Sequence, residues 1–185
     1  QAIQQLGAFA DYFILHNRDI VNRIDDSVVR IINDETQYYR RARGYAPSPL
    51  PLSDGFENTR QILALGSEMK NTFCLLKDRQ LTLSQHIGNL ENLQTYTDYR
   101  HHLKLYQNLF DFQPDAIVID KHPEYLSSKL GRQWAADDQI PLIETQHHHA
   151  HIAACLVDNH WTIQQGAVIG VALDGLGYGD DDTLW

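Results

Sequence analysis

From residue 61 onward, short apolar runs alternate with amphipathic stretches in an order that few architectures accommodate. Residues 61–66, 72–77 and 80–84 read as three strands in quick succession, with a turn over 66–71 and another at Lys77-Asp78-Arg79. Residues 92–110 place Leu93, Tyr96, Leu103, Tyr106, Leu109 and Phe110 at helical spacing. A buried strand follows at 116–119, then a helix over 124–134 with Pro123 at its start. A strand at 141–144, a helix over 147–158 and a strand at 167–173 complete the pattern. Three strands that pair as hairpins, followed by βα units, predict an α/β fold around a mixed sheet.

The first 60 residues follow a different logic. The spacing predicts a helix over 1–15, a polar break at 16–19, a strand at 27–32 and a last strand within 38–45. Three prolines then fall within five residues, and proline density favours an extended spacer, so 46–60 reads as a linker. The segment before it is too short to hold a core of its own and reads as the tail of a domain. The chain starts without Met and stops on Trp185 directly after a turn, which suggests a piece of a longer protein.

Charge is spread unevenly. Residues 1–60 carry seven basic and eight acidic side chains, and all seven basic ones are Arg, suited to bidentate phosphate or carboxylate binding. The net charge of −9 argues against a generic nucleic-acid surface. No apolar stretch is long enough to span a membrane. The two cysteines, Cys74 and Cys155, stand far apart in apolar settings without CxxC spacing, and a reducing cytoplasm suits them. Cys155 reads as a core position, and His101, His102 and His122 as surface.

The chemistry concentrates near the end. Gln-His-His-His-Ala-His at 146–151 opens a predicted helix, on which His147 and His151 sit one turn apart on one face. Two imidazoles so spaced can hold one metal ion. His148 and His149 point about 100° and 200° round the helix from His147. Either can line the pocket, and His148 joins Asp174 as a catalytic candidate. Asp174 follows the strand predicted at 167–173, where open α/β sheets place ligand contacts, and is a candidate metal ligand as well. Gly175 and Gly177 behind it let backbone amides approach a phosphate. Lys70, in the first turn of the sheet, can reach the same phosphate. The Asp180–Asp182 run repels phosphate unless a cation lies between them.

Several long motifs resemble the HypF family of hydrogenase-maturation carbamoyltransferases. They are His-Asn-Arg-Asp-Ile-Val-Asn-Arg-Ile-Asp-Asp-Ser-Val-Val-Arg at 16–30, Arg-Arg-Ala-Arg-Gly-Tyr at 40–45, Ala-Leu-Gly-Ser-Glu-Met-Lys-Asn-Thr-Phe at 64–73 and Ser-Gln-His-Ile-Gly-Asn-Leu-Glu-Asn at 84–92. Gln-His-His-His-Ala-His-Ile-Ala-Ala at 146–154 and Val-Ala-Leu-Asp-Gly-Leu-Gly-Tyr-Gly-Asp-Asp at 171–181 complete the set. The resemblance implies that 1–45 end a YrdC-like domain and that 61–185 form the first lobe of a TsaD-like domain, an actin/Hsp70-like (ASKHA) half-lobe. It also implies an activity. Carbamoyl phosphate and ATP give carbamoyl adenylate, and the carbamoyl group passes to the C-terminal cysteine of a HypE-type partner, toward the cyanide ligands of nickel–iron hydrogenases. By the same resemblance, His147 and His151 match metal ligands, the ion being magnesium, iron or zinc. Ser27 matches a nucleotide-contacting strand, and Arg41 and Arg43 the basic strand after it.

Two other readings compete. One is a small-molecule kinase of the same superfamily; Gly66-Ser-Glu-Met-Lys in place of an Asp-x-Gly-Thr turn speaks against it. The other is a non-catalytic metal-binding module.

Overall fold

The computed structural model describes residues 2–56, 60–175 and 177–185. In chain order the elements are α1 (Ala2–Leu6), β1 (Val28–Ile32), β2 (Glu35–Arg40), β3 (Leu50–Pro51), β4 (Ile62–Ala64), β5 (Cys74–Lys77), β6 (Gln80–Leu83), α2 (Leu93–Leu109), β7 (Ala116–Asp120), α3 (Leu126–Asp138), β8 (Leu142–Thr145) and α4 (His147–Asp158). A six-stranded sheet runs β3-β6-β5-β4-β7-β8. Its first four strands are antiparallel neighbours, whereas β4, β7 and β8 are parallel. The mixed α/β sheet expected from the alternation is therefore present, and β1 and β2 form a separate hairpin.

The core lies between this sheet and its helices. Leu63, Leu65, Phe73, Leu75, Ile117 and Ile119 from the sheet meet Tyr99, Leu103 and Tyr106 of α2. Phe73 packs edge-on against both tyrosine rings, an arrangement favoured by the aromatic quadrupole. The hydroxyls that come with those rings are satisfied: Tyr99 donates to the Leu65 carbonyl and Tyr106 to Gln85 Oε1, each at 2.9 Å. Asn92 caps α2 by accepting from the amides of Gln94 and Thr95. On α3 no residue at the start caps through its own side chain. The buried carboxylate of Glu68 does so instead, accepting from the Leu126 amide at 2.7 Å. Burial pushes the Glu68 pKa up, against the pull of that amide.

The buried face of α3 is made of small residues, Ser127, Ser128, Gly131 and Ala135, so the helix can lie close to β7. At Gly131 a Cβ would stand 2.3 Å from Ile119 Cγ2 and 2.8 Å from Leu65 Cδ1. Overpacking a filled core costs about 1–3 kcal/mol, and the better helix propensity of alanine returns about 1 kcal/mol. Gly131→Ala is expected to lower the urea midpoint with an unchanged m-value. A midpoint at or above that of the parent would show that the helix can lift off the sheet at no cost.

Four expectations are corrected. Only 2–6 of the predicted 1–15 helix forms. Phe9, Tyr12 and Ile14 are exposed, and a short helix without a face to bury is marginal in water. The last strand ends at Arg40, and 43–47 form turns. The 46–60 linker is not free along its length: Leu50 and Pro51 pair with Leu81 and Gln80 at the sheet edge, and Leu52 is buried (57–59 lie outside the described residues). The strand predicted at 167–173 has no ladder partner among the described residues, and Ile169 and Leu173 are each 97% exposed. A strand needs a neighbour, and apolar alternation cannot supply one.

Two side chains also depart from expectation. His102 is buried, with Nδ1 2.9 Å from the Asp98 carbonyl, because it falls beside Tyr99, Leu103 and Tyr106 on the inner face of α2. Cys155 is exposed, since α4 buries none of its residues. Cys74 is mostly enclosed, and burial pushes its thiol up to about 12. No helix among the described residues is long and apolar enough to cross a membrane.

Candidate functional site

The parallel strands β4, β7 and β8 end side by side at a cleft of about 280 Å³. One wall is the turn from Gly66 to Thr72, and the other is the start of α4. Crevices at the carboxyl ends of parallel strands are where open α/β sheets take ligands. The turn is possible only because residue 66 is glycine. Its φ is +71°, and a Cβ there would lie 2.2 Å from the Thr72 carbonyl oxygen. Asn71 closes the turn from inside, donating to the carbonyls of Leu65 and Ser67. Lys70 also has positive φ, and its amide is held by Asn89 Oδ1 at 3.1 Å. It lines the cleft.

His147 and His151 line the opposite wall, one turn apart on α4. Their Nε2 atoms face each other at 3.2 Å. Asp174 Oδ2 lies 3.0 Å from the first and 3.3 Å from the second. Donors bound at 2.0–2.1 Å to a tetrahedral ion stand roughly 3.3 Å apart. The triangle thus has the size of one face of such a shell, so two imidazoles and a carboxylate fit a divalent ion. Among the described residues no other three His, Cys, Asp or Glu groups come together in this way. Desolvation works to raise the Asp174 pKa, but the Gly175 amide and the two imidazoles outweigh it and hold the carboxyl below its ordinary value. The group is anionic at neutral pH.

The sequence reading missed Asp120. Its side chain is 7% exposed, at the very end of β7, and Oδ2 sits 2.6 Å from His147 Nδ1. Its other oxygen accepts from the His122 amide at 2.9 Å. The signal was available, because an acidic residue ending a buried strand is what drew attention to Asp174. The predicted strand stopped one residue short.

The remaining candidates go elsewhere. His148 does not line the cleft. Its ring stacks over Trp185 at 14° and 6.4 Å, with Nδ1 3.2 Å from Gln146 Nε2. Gly177 packs beneath it, and a Cβ there would come within 2.4 Å of the ring. The Gly177 amide donates to the Trp185 carbonyl at 3.2 Å, so it serves a small hairpin over 177–185 rather than a phosphate. Gly175 is open, but its amide donates to Asp174 Oδ1 at 2.8 Å. The acidic run folds into the same hairpin, with Asp181 accepting from Thr183 and Trp185 and Asp180 paired with Lys121.

Ser27, Arg41 and Arg43 lie apart from the cleft. The Ser27 hydroxyl donates to the Arg43 carbonyl and accepts from the Ala42 amide. Arg41 donates to the carbonyls of Tyr45 and Ser48, and Arg43 pairs with Asp26. These contacts tie the N-terminal hairpin together. Arg23 docks it on the larger unit through Asp98 at 2.9 Å and the Ile87 carbonyl at 2.8 Å.

The HypF Kae1-like domain family matches residues 57–158. Carbamoyltransferase HypF of Rhodobacter capsulatus is 45% identical over 185 residues, all of this chain and 25% of that protein. Its counterpart in Synechocystis sp. is 39% identical over 100% of this chain and 23% of its own length. Full-length HypF in a phosphate- and nucleotide-bound form superposes with a TM-score of 0.85 at 42% identity, covering 100% of this chain and 28% of that one. T. kodakarensis HypF gives 0.82 at 36% identity, covering 100% and 23%. The chain spans about a quarter of the length of the curated relatives it matches.

Proposed function

The chain belongs to the HypF family, and from that premise we propose that it serves ATP-dependent carbamoyl transfer in nickel–iron hydrogenase maturation. In this reading 1–45 end a YrdC-like module, and the mixed sheet with its helices is the first lobe of a TsaD-like one, the stretch at 50–52 going with the lobe. Water cleaves carbamoyl phosphate to carbamate and inorganic phosphate. A carbamate oxygen attacks the α-phosphorus of ATP, pyrophosphate leaves, and carbamoyl adenylate forms. The thiolate at the C-terminus of a HypE-type partner then attacks the carbonyl carbon and AMP leaves. The reaction belongs to the cytoplasm, where the two unpaired cysteines also fit.

The observation that carries this reading is the triangle of His147, His151 and Asp174 opposite Lys70 across one cleft. Transfer at phosphorus depends on positioning and charge neutralisation more than on covalent help from side chains. His147, His151 and Asp174 would hold the divalent ion, which supplies positive charge to phosphate oxygens. Lys70 brings a second positive charge from the opposite wall. The Gly66–Thr72 turn, locked by Asn71, fixes where that charge stands.

The test is ATP–pyrophosphate exchange in the full-length protein. Exchange that requires carbamoyl phosphate, with AMP as the nucleotide product, is expected. Release of ADP would replace this reading with that of a kinase, and metal binding without any effect of ATP would leave a non-catalytic module.

A further inference from the structure

We propose that Asp120 is a positioning residue that acts through His147, fixing which ring nitrogen is offered to a divalent cation. The proposal rests on the metal reading of the cleft and adds a residue to it. A histidine in an unconstrained setting interchanges its two neutral tautomers and turns about its side-chain bonds. His147 is denied both freedoms. Its Nδ1 lies 2.6 Å from Asp120 Oδ2, and a carboxylate can only accept, so Nδ1 keeps a hydrogen and, with a cation in the triangle, Nε2 is the nitrogen left to offer a lone pair. That lone pair is aimed at the triangle with His151 and Asp174.

Asp120 is itself held on two sides. Oδ1 accepts from the His122 amide at 2.9 Å, and the Asp120 carbonyl accepts from the buried Ser128 hydroxyl of α3 at 2.7 Å. The residue ends a strand paired in register with β8 (Asp120 opposite Thr145), and β8 leads directly into α4. Sheet, helix and carboxylate together set the direction of one imidazole. His151, 57% exposed, shows no such second partner among the described residues, and its Nε2 is the atom turned toward the group. The two histidines are therefore unequal: His147 is the preorganised ligand and His151 the adaptable one. Carboxylates behind ligating histidines commonly carry ten- to hundredfold in metal affinity.

The experiment measures Zn²⁺ affinity of the full-length protein by competition with a chromophoric chelator, with a thermal midpoint recorded for every variant. Asp120→Ala is expected to weaken Zn²⁺ binding ten- to hundredfold. Asp120→Asn, which keeps an acceptor oxygen, should fall between it and the parent. Parental affinity in both would overturn the proposal. If His147→Ala and His151→Ala also bind Zn²⁺ like the parent, the metal reading itself fails. If those two lose binding while the Asp120 variants keep it, only the role of Asp120 fails. Should the Asp120 variants not fold, a crystal structure of the Zn²⁺-loaded parent decides. Zn²⁺ on His147 Nε2 with Nδ1 still bonded to Asp120 supports the proposal. Zn²⁺ on Nδ1, or on Asp120 directly, overturns it.

Discussion

Replacing either His147 or His151 with alanine is expected to abolish divalent-ion binding at the proposed site in the full-length protein. The two Nε2 atoms and Asp174 Oδ2 stand 3.0–3.3 Å apart, the spacing of donors around one small ion. Losing one imidazole leaves a single nitrogen and one carboxylate, too few donors to compete with water and buffer. Metal content by elemental analysis after gel filtration should fall by about one ion per chain in each variant. His149→Ala is the control, because that side chain is exposed on the same helix turn and outside the group. Full metal content in both alanine variants would refute the site.

Under the proposed function, Asp174→Asn in the full-length protein should reduce carbamoyl transfer by on the order of 10²-fold or more, the scale for losing a positioned charge in an active site. Asparagine keeps the shape of the side chain. Its oxygen can still accept from the Gly175 amide as Asp174 Oδ1 does at 2.8 Å. That bond turns the new NH₂ group toward His147 and His151, where Oδ2 stood. A donor then faces two nitrogens that should share a cation, and the negative charge that favours the cation is gone. Asp174 lies on the surface and buries little, so the thermal midpoint should hardly move. Mass spectrometry of the partner's cysteine reads the outcome, and transfer within about threefold of the parent would leave Asp174 as a turn former only.

The parts of the site that repeat a local period were legible in the sequence. The i, i+4 pair His147 and His151 needs only a helix, and the helix forms at 147–158 as expected. The position of Lys70 beside the cleft was legible because the strand pattern placed it in the first turn of the sheet, which forms one wall. What was not legible depended on neighbours far along the chain. Asp120 gains its meaning from His147, 27 residues away. His148 looked equal to its neighbours by angle alone, yet Gly177 and Trp185 draw it into a hairpin. His102 lay on the inner face of α2 by period, but its polarity argued for the surface. Asp174 reaches the histidines even though the strand expected to deliver it does not form. Ser27, Arg41 and Arg43 were singled out by resemblance, and their contacts are local.

The edge strand β3 bears on self-association. A sheet whose outermost strand shows a free row of amides invites a second copy to add to it. Here the border is two residues long, and one of them, Pro51, has no N–H to offer. The proline cluster that reads as a spacer between two units therefore also blunts this edge, leaving β3 little for a second copy to pair with, so that lateral growth is confined to the opposite edge at β8.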